Sequence, residues 1–378
     1  MALLGSGRRI PLYYGSSFSY IAAVVAVVGA EWGGVRVAQV GIVATAFVSI
    51  IAGLLIRWVG KAAIDKVLPP IVTGSVAIII GISLAKGALD MAGANWVVAI
   101  VTLLATILFS VYLRGWRLLG MLPILLGAIV GYIVSAFMGL VNFAPVLQAA
   151  WVAVPKFTLP DFGNPNALRA VLAIAPIAIA TIPESTAHLY QISLYIDRVA
   201  EDLGRPAQKI SRLIGLNLIL DGIGDGINGL LGGCAGTNYG ENNSLMAITR
   251  NYSVPVLMCA GAFAMLLGFI GKLAALVNSI PVAVTGGLAI YLFGVIGLQG
   301  IALIQSEKVD LFDPRQLAIG ALITIIGIGG AAFPGGNIPV GNLQLPSIAT
   351  AALVGIVLNA IFLIFPARAA ARAATAGE

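Results

Sequence analysis

"NYGENNSLMAIT", Asn238 to Thr249, places Glu241 after Gly240 and before Asn242 and Asn243, between two strongly apolar stretches. Just upstream, "GCAGTNYG" (Gly233 to Gly240) is poor helix material, because Gly, Thr and Asn favour extended or turn conformations. At membrane depth such a stretch leaves backbone N–H and C=O groups unpaired, which hydrocarbon does not tolerate. It is stable there only when paired with another extended segment or facing a wet cavity. "IPLYYG", Ile10 to Gly15, held extended by its proline and tyrosines, is the natural partner. The expectation is two short antiparallel strands, each handing over to a half-helix.

The surroundings of this stretch are a membrane protein. The chain has 378 residues, of which 60% are hydrophobic and 10% charged, and its mean hydropathy is +1.02. A soluble domain carries about 25% charged residues. Apolar runs of about 20 residues recur from end to end, each long enough to cross ~30 Å of hydrocarbon as a helix. Their uniform hydrophobicity excludes a β-barrel, whose strands alternate every second residue. The fold class is therefore an all-α polytopic membrane protein. The net charge of +6 does not indicate nucleic acid, since the basic residues lie in loops, and the expected partner is the lipid bilayer. Cys234 and Cys259 suggest neither a disulfide framework nor a metal cluster. One histidine and no HExxH motif argue against a zinc hydrolase. Arg8-Arg9 and the apolar stretch after them mimic a signal peptide, but that stretch fits the first membrane segment.

Twelve membrane segments are expected, starting near Ser16, Val37, Pro70, Trp96, Leu118, Ala170, Ile210, Glu241, Val254, Val282, Gln316 and Ser347. The first and eighth are too short to cross alone. With the N-terminus inside, only Arg36, Lys86, Lys156, Arg169 and Lys272 of the 21 basic residues fall outside. This predicts a multi-pass protein of the cell inner (plasma) membrane with both termini cytoplasmic. "PPIVTGSVAI" (Pro69 to Ile78) echoes "PVAVTGGLAI" (Pro281 to Ile290), and "YGSSFS" (Tyr14 to Ser19) echoes "YGENNS" (Tyr239 to Ser244). The two "YG" segments run in opposite directions in this layout, so the repeats are inverted. Inverted repeats with short Gly-interrupted segments point to a transporter with a site near the midplane.

Three groups of ionisable residues fall inside this array. Glu241, Asn242 and Asn243 stand at a half-helix N-terminus, where backbone donors and the helix dipole favour negative charge or a ligand's carbonyl oxygens. The plainer alternative is a cap near the surface. In "TIPESTAHLYQ" (Thr181 to Gln191), Glu184 and the lone His188 are four apart and share one helix face. A membrane-buried ionisable residue costs about 2.5–3.5 kcal/mol on insertion scales and marks an ion or substrate path. A carboxylate beside an imidazole suits binding a polar ring and relaying a proton, whereas a structural pair would merely lock two helices. Pro183 is expected to loosen the helix there. In "LDGIGDGING", Asp221 and Asp225 are one turn apart. The Gly-x-Gly-Asp pattern occurs in intramembrane aspartyl proteases, but the chain lacks the Tyr-Asp partner they need. Helix packing through the glycines, with Asp221 supporting the site, is the better reading. Asp225 has no assignment.

"TNYGENNSLMAITR", the residues around Glu184 and His188, and "RRIPLYYGSSF" resemble, in order, three motifs of the nucleobase–cation (nucleobase–ascorbate) symporters. The resemblance covers nearly the whole chain and is nearest to the bacterial uracil carriers. It implies an inverted-repeat transporter with core and gate domains. Residues 1–66 and 170–279 would form the core, the latter holding the substrate site, and residues 67–141 and 280–366 the gate. Residues 142–169 would be an extracellular or interfacial connection and 367–378 a cytoplasmic tail. The resemblance further implies that Glu241 and the Gly240 backbone hydrogen-bond the base, Glu184 binds its other edge and Phe18 stacks on the ring. His188, with Glu184, would serve proton coupling, and Tyr239, Asn242 and Asp221 would support the site. A stacking role suits Phe18 on physical grounds too, since a planar heterocycle gains from an aromatic face.

The implied activity is proton-coupled symport, not an enzymatic reaction. No cofactor is implied beyond the co-transported proton, which is preferred to sodium, and a homodimer through the gate is implied. Glu241 in place of the Gln common in xanthine and urate carriers, and His188 where purine carriers often have Asp, favour uracil. A xanthine or purine symporter and an anion carrier of the sulfate type are the alternatives. Carboxylates at the site would repel a dianion. The chain departs from the family at Ser244, where the motif has Gly, and it begins where the family's third span begins, so a non-transporting fragment is the remaining reading.

Overall fold

A three-residue strand, β1 (Tyr14–Ser16), leads through a 3₁₀ turn (Phe18–Tyr20) into the nine-residue helix α1 (Ile21–Gly29) in the computed structural model. The structure describes residues 5–60, 66–113, 116, 119–341 and 343–365, without the side chains of residues 22, 121, 241, 244, 248, 335, 343 and 344. The expected tail, 367–378, lies outside the described residues. After α1 come α2 (Val35–Val59), α3 (Pro70–Ser83), α4 (Ala85–Gly93), α5 (Trp96–Tyr112), α6 (Pro123–Phe137) and the short α7 (Ala144–Gln148). Next are α8 (Ala167–Ile174), α9 (Ile177–Asp202), α10 (Ile214–Leu231), β2 (Gly236–Asn238) and α11 (Gly240–Thr249). The chain continues through α12 (Val254–Leu267), α13 (Gly271–Asn278), α14 (Val282–Ser306) and α15 (Pro314–Gly330). A hairpin, β3 (Asn337–Val340) and β4 (Leu343–Pro346), precedes α16 (Ser347–Ile364).

Each of the twelve expected segments contains a helix. Among the described residues, five helical stretches are long and apolar enough to cross a membrane: Val35–Val59, Pro70–Gly93, Ala167–Asp202, Val282–Ser306 and Ser347–Ile364. The two "YG" segments yield α1 and α11, of 9 and 10 residues. At ~1.5 Å per residue each reaches about half of the ~30 Å hydrocarbon thickness. Large apolar side chains such as Phe47, Ile51, Leu54 and Leu55 on α2 lie exposed, as a lipid-facing surface requires. The hairpin β3–β4 and the short helices α7 and α13 were not expected. Pro183 does not break α9, which continues from Ile177 to Asp202.

The described residues form two compact units, each assembled from discontinuous segments: those within 5–80, 158–254 and 299–365, and those within 81–157 and 255–298. In the first, α2 and α10 lie side by side along their small residues. A Cβ on Gly53 would come 2.6 Å from the Gly215 carbonyl oxygen, and one on Gly222 would come 2.7 Å from that of Ala46. This is the close backbone approach that small residues permit between apolar helices. Tyr20, Val27, Ile42, Ile174, Ile177 and Ala235 form the core that seats α1 against α2, α8 and α9. In the second unit α5 packs on α6, with Thr102 and Thr106 against Gly131 and Gly127, and Val98, Ala283 and Val284 form a small core.

The echoing Thr-Gly motifs are both close-packing points. In the first unit Gly74 lies against Gly300 and Ile304 of α14, and in the second Gly286 of α14 lies against Met91 and Ala92 of α4.

Candidate functional site

β1 and β2 pair antiparallel, Tyr14 with Asn238, Gly15 with Thr237 and Ser16 with Gly236. The ladder continues at both ends: Ser17 N–H donates to the Ala235 carbonyl at 3.0 Å, and Tyr239 N–H to that of Tyr13 at 2.9 Å. Hydrogen-bonded and non-hydrogen-bonded pairs alternate along such a ladder. The pairs 13/239 and 17/235 are bonded, so 15/237 is bonded too. Tyr14, Ser16, Gly236 and Asn238 then turn their backbone groups outward, away from the partner strand. A two-stranded ribbon in an apolar setting therefore needs its edges covered.

One carboxylate of α10 meets part of that requirement on the β2 side, and a second binds a β2 side chain. Asp225 Oδ1 accepts from Gly236 N–H at 2.7 Å, the donor that strand pairing leaves over, and also from the Tyr14 hydroxyl on β1. One turn earlier, Asp221 Oδ2 accepts from Asn238 Nδ2 at 2.8 Å, Ser185 Oγ at 2.9 Å and Asn217 Nδ2 at 3.1 Å. Asn238 Nδ2 also reaches Ser185 Oγ at 3.2 Å. Both aspartates are buried, with exposures of 5% for Asp221 and 2% for Asp225. Their oxygens accept from O–H and N–H donors of α9, α10 and both strands. Buried charge is tolerated only when it is paired or fully hydrogen-bonded.

The mixed helix–strand crossing also needs missing side chains. The Tyr14 ring lies between Gly224 of α10 and Gly236 of β2, where a Cβ would come within 2.9 Å and 2.4 Å of it. Across the ribbon the Tyr239 ring covers Gly15, and its hydroxyl donates to the Ser16 carbonyl at 2.8 Å.

At the other end of β2 the chain turns into α11 at Gly240, facing α9. A Cβ on Gly240 would stand 2.7 Å from His188 Nε2, so any larger residue there would displace the imidazole. Asn243, fully buried on the first turn of α11, donates to the His188 carbonyl at 2.9 Å and to Gln191 Oε1 at 3.2 Å. His188 Nδ1 and Asn243 Oδ1 are buried without a hydrogen-bond partner among the described residues. Orphaned polar atoms are uncommon in folded proteins and concentrate where function needs them.

Thus Gly240 and His188 meet, and Asp221 joins α9, α10 and β2. Glu184 lies half-buried on α9 one turn before His188. Phe18 lies half-buried in the turn between β1 and α1, and Asn242 and Tyr239 are half-buried at the start of α11. The backbone of Glu241 belongs to the first turn of α11, and its side chain lies outside the described residues. The residues that reading the sequence missed are Tyr14, Asn217 and Asn238, and Asn243, placed there at the half-helix N-terminus, has its hydrogen bonds to α9 as well. A polar residue repeated at helical spacing, as in Asn217, Asp221 and Asp225, was the available signal for the first network.

A sequence profile of the xanthine/uracil permeases, described as "Permease family", matches residues 1–336. The uracil permease of Bacillus subtilis (strain 168) is 36% identical over 374 residues, covering 95% of this chain and 82% of that protein. The uracil permease of Escherichia coli (strain K12) is 34% identical over 365 residues, covering 94% of this chain and 80% of that protein. Among solved structures, the transmembrane domain of a cyanobacterial bicarbonate transporter, BicA, superposes with a TM-score of 0.51 at 17% identity. That match covers 93% of this chain and 84% of the other, and it concerns the fold alone.

Proposed function

The chain belongs to the xanthine/uracil permease family, and from that premise we propose that it carries a nucleobase, uracil, across the cytoplasmic membrane together with a proton. The observation that carries this reading is the meeting of Gly240 with His188, at the mouth of a half-helix and one turn from Glu184 on α9. A helix N-terminus offers backbone N–H groups to carbonyl oxygens, and uracil presents two carbonyls and two N–H groups on one plane. In this reading the Gly240 backbone and Glu241 take one edge of the base, Glu184 takes the other, and Phe18 stacks on its face. His188, with Glu184, takes the proton, since imidazole is the side chain that ordinarily titrates near neutral pH. Asp221, Tyr239 and Asn242 hold the frame.

Transport is then alternating access. Base and proton enter together from outside, the core moves against the gate, and the lower proton concentration inside favours release. Both termini lie in the cytoplasm, as the positive-inside bias requires, and the gate domain forms a homodimer. The relatives' names support uracil over xanthine.

Calorimetric titration of the purified protein with uracil and xanthine tests the substrate assignment. Saturable uracil binding with at least tenfold weaker xanthine binding is expected, a difference of about 1.4 kcal/mol or more. Binding of xanthine alone would overturn the choice of base.

A further inference from the structure

The hydrogen bond from the Tyr14 hydroxyl to Asp225 is not needed by any role assigned above. Asp225 is buried in the middle of α10 and spends one oxygen on both strands at once: on the Gly236 amide of β2 and on the Tyr14 side chain of β1. The Gly236 bond covers an outward-facing strand donor. The Tyr14 bond does something different, because β1 is the outer strand of the ribbon as seen from α10. Its tyrosine reaches back past β2 through the gap kept open by Gly224 and Gly236, so the ring is threaded between helix and strand before the hydroxyl meets the carboxylate. β1 is thereby tied to α10 directly as well as through β2.

That tie lies four residues before Phe18, and the Gly236 bond lies four residues before Gly240. α11 starts at Gly240, two residues beyond β2, and the 3₁₀ turn that leads into α1 starts at Phe18, two residues beyond β1. Since α10 is anchored along α2 by its glycines, it can serve as a fixed reference for the two segments. We propose that Asp225 and Tyr14 form a clamp that fixes β1 and β2 on α10 and so positions Phe18 and Gly240 relative to one another. They are positioning residues that do not touch the substrate. The functional part of this inference rests on the nucleobase site proposed above, whereas the clamp itself rests only on the geometry of Tyr14, Asp225 and Gly236.

The test uses Tyr14→Phe, which removes a single oxygen and leaves the ring in its glycine cradle. Asp225→Asn, which keeps an acceptor oxygen at the same place, is the conservative second variant. Two quantities are measured on the full chain: amide hydrogen exchange of residues 13–18 and 235–240 without substrate, and the KM and turnover of uracil uptake. Tyr14→Phe is expected to speed exchange in both strands and to raise KM about tenfold, the scale of one hydrogen bond to a charged group. Turnover per folded protein should change less than KM, and Asp225→Asn should shift both quantities less than Tyr14→Phe. Exchange unchanged in Tyr14→Phe would overturn the clamp. Faster exchange with an unchanged KM would overturn its positioning role. A wild-type protein that carries no nucleobase would overturn the proposed function, and the exchange measurement would still decide the clamp.

Discussion

A β-carbon added to Gly240 would stand 2.7 Å from Nε2 of His188, so the imidazole closes directly on the first turn of α11. Only glycine leaves the backbone and the ring in contact. The half-helix and the helix bearing Glu184 are therefore held together at one point where no side chain intervenes, and Asn243 fixes that point through the His188 carbonyl and Gln191.

Gly240→Ala should push the ring away from the half-helix. The expected result is at least a tenfold loss of uracil affinity, a cost of about 1.4 kcal/mol or more, with only a modest fall in thermal stability. The double variant Gly240→Ala/His188→Ala should recover that stability without recovering affinity. Calorimetric titration and thermal unfolding in detergent measure the two effects separately.

Asp221 gathers donors from Ser185, Asn217 and Asn238. Asp221→Ala removes the acceptor that these three buried donors share and, at about 1–3 kcal/mol for each donor left unsatisfied, should destabilise the protein by about 3 kcal/mol. Asp221→Asn keeps an oxygen there and should lose less than half as much. Thermal unfolding of the detergent-solubilised protein decides between these values, and equal losses for both variants would show that the carboxylate charge is essential.

Much of this arrangement was legible from residue chemistry alone. Gly, Thr and Asn before Tyr239 cannot make a helix in an apolar bracket, and "IPLYYG" was the extended partner at hand. The observed antiparallel pairing of the two segments follows from that one argument, and the structure adds the register, Tyr14 opposite Asn238. The glycines of α10 announced close helix packing, which they provide against α2. Asp225 was not legible, because its partners are the Tyr14 hydroxyl, 211 positions away, and a backbone amide whose need for an acceptor depends on strand register. The contact of Asn243 with α9 was not read for a matter of helical phase: Asn242 and Asn243 are chemically alike, and only the rotation of about 100° between them puts the second against α9. The hairpin β3–β4 carried a signal in Gly341-Asn342 between two short apolar runs, but Pro339 and Pro346 in those runs made the stretch read as a loop.

Glu241→Ala should abolish detectable uracil binding, while Glu184→Gln, which keeps a planar hydrogen-bonding group, should weaken it about tenfold or more. Undiminished uracil affinity in Glu241→Ala would remove that residue from the site. Equilibrium binding at one pH is the measurement, so that effects on proton coupling do not enter.

Replacing His188 should act on coupling more than on binding. In the wild type, uptake should fall as external pH rises, because the proton is a co-substrate whose concentration drops tenfold per unit. His188→Ala should flatten that dependence and change uracil affinity at a fixed pH by a smaller factor. Initial uptake rates across external pH, set beside affinities at a single pH, make the comparison.

The most direct test of the central claim is uptake of labelled uracil into proteoliposomes containing this chain alone, with and without an inward proton gradient. Accumulation above the external concentration that collapses when the gradient is dissipated is the predicted result. Uracil entry that merely equilibrates, at the same rate with or without the gradient, would contradict proton-coupled symport.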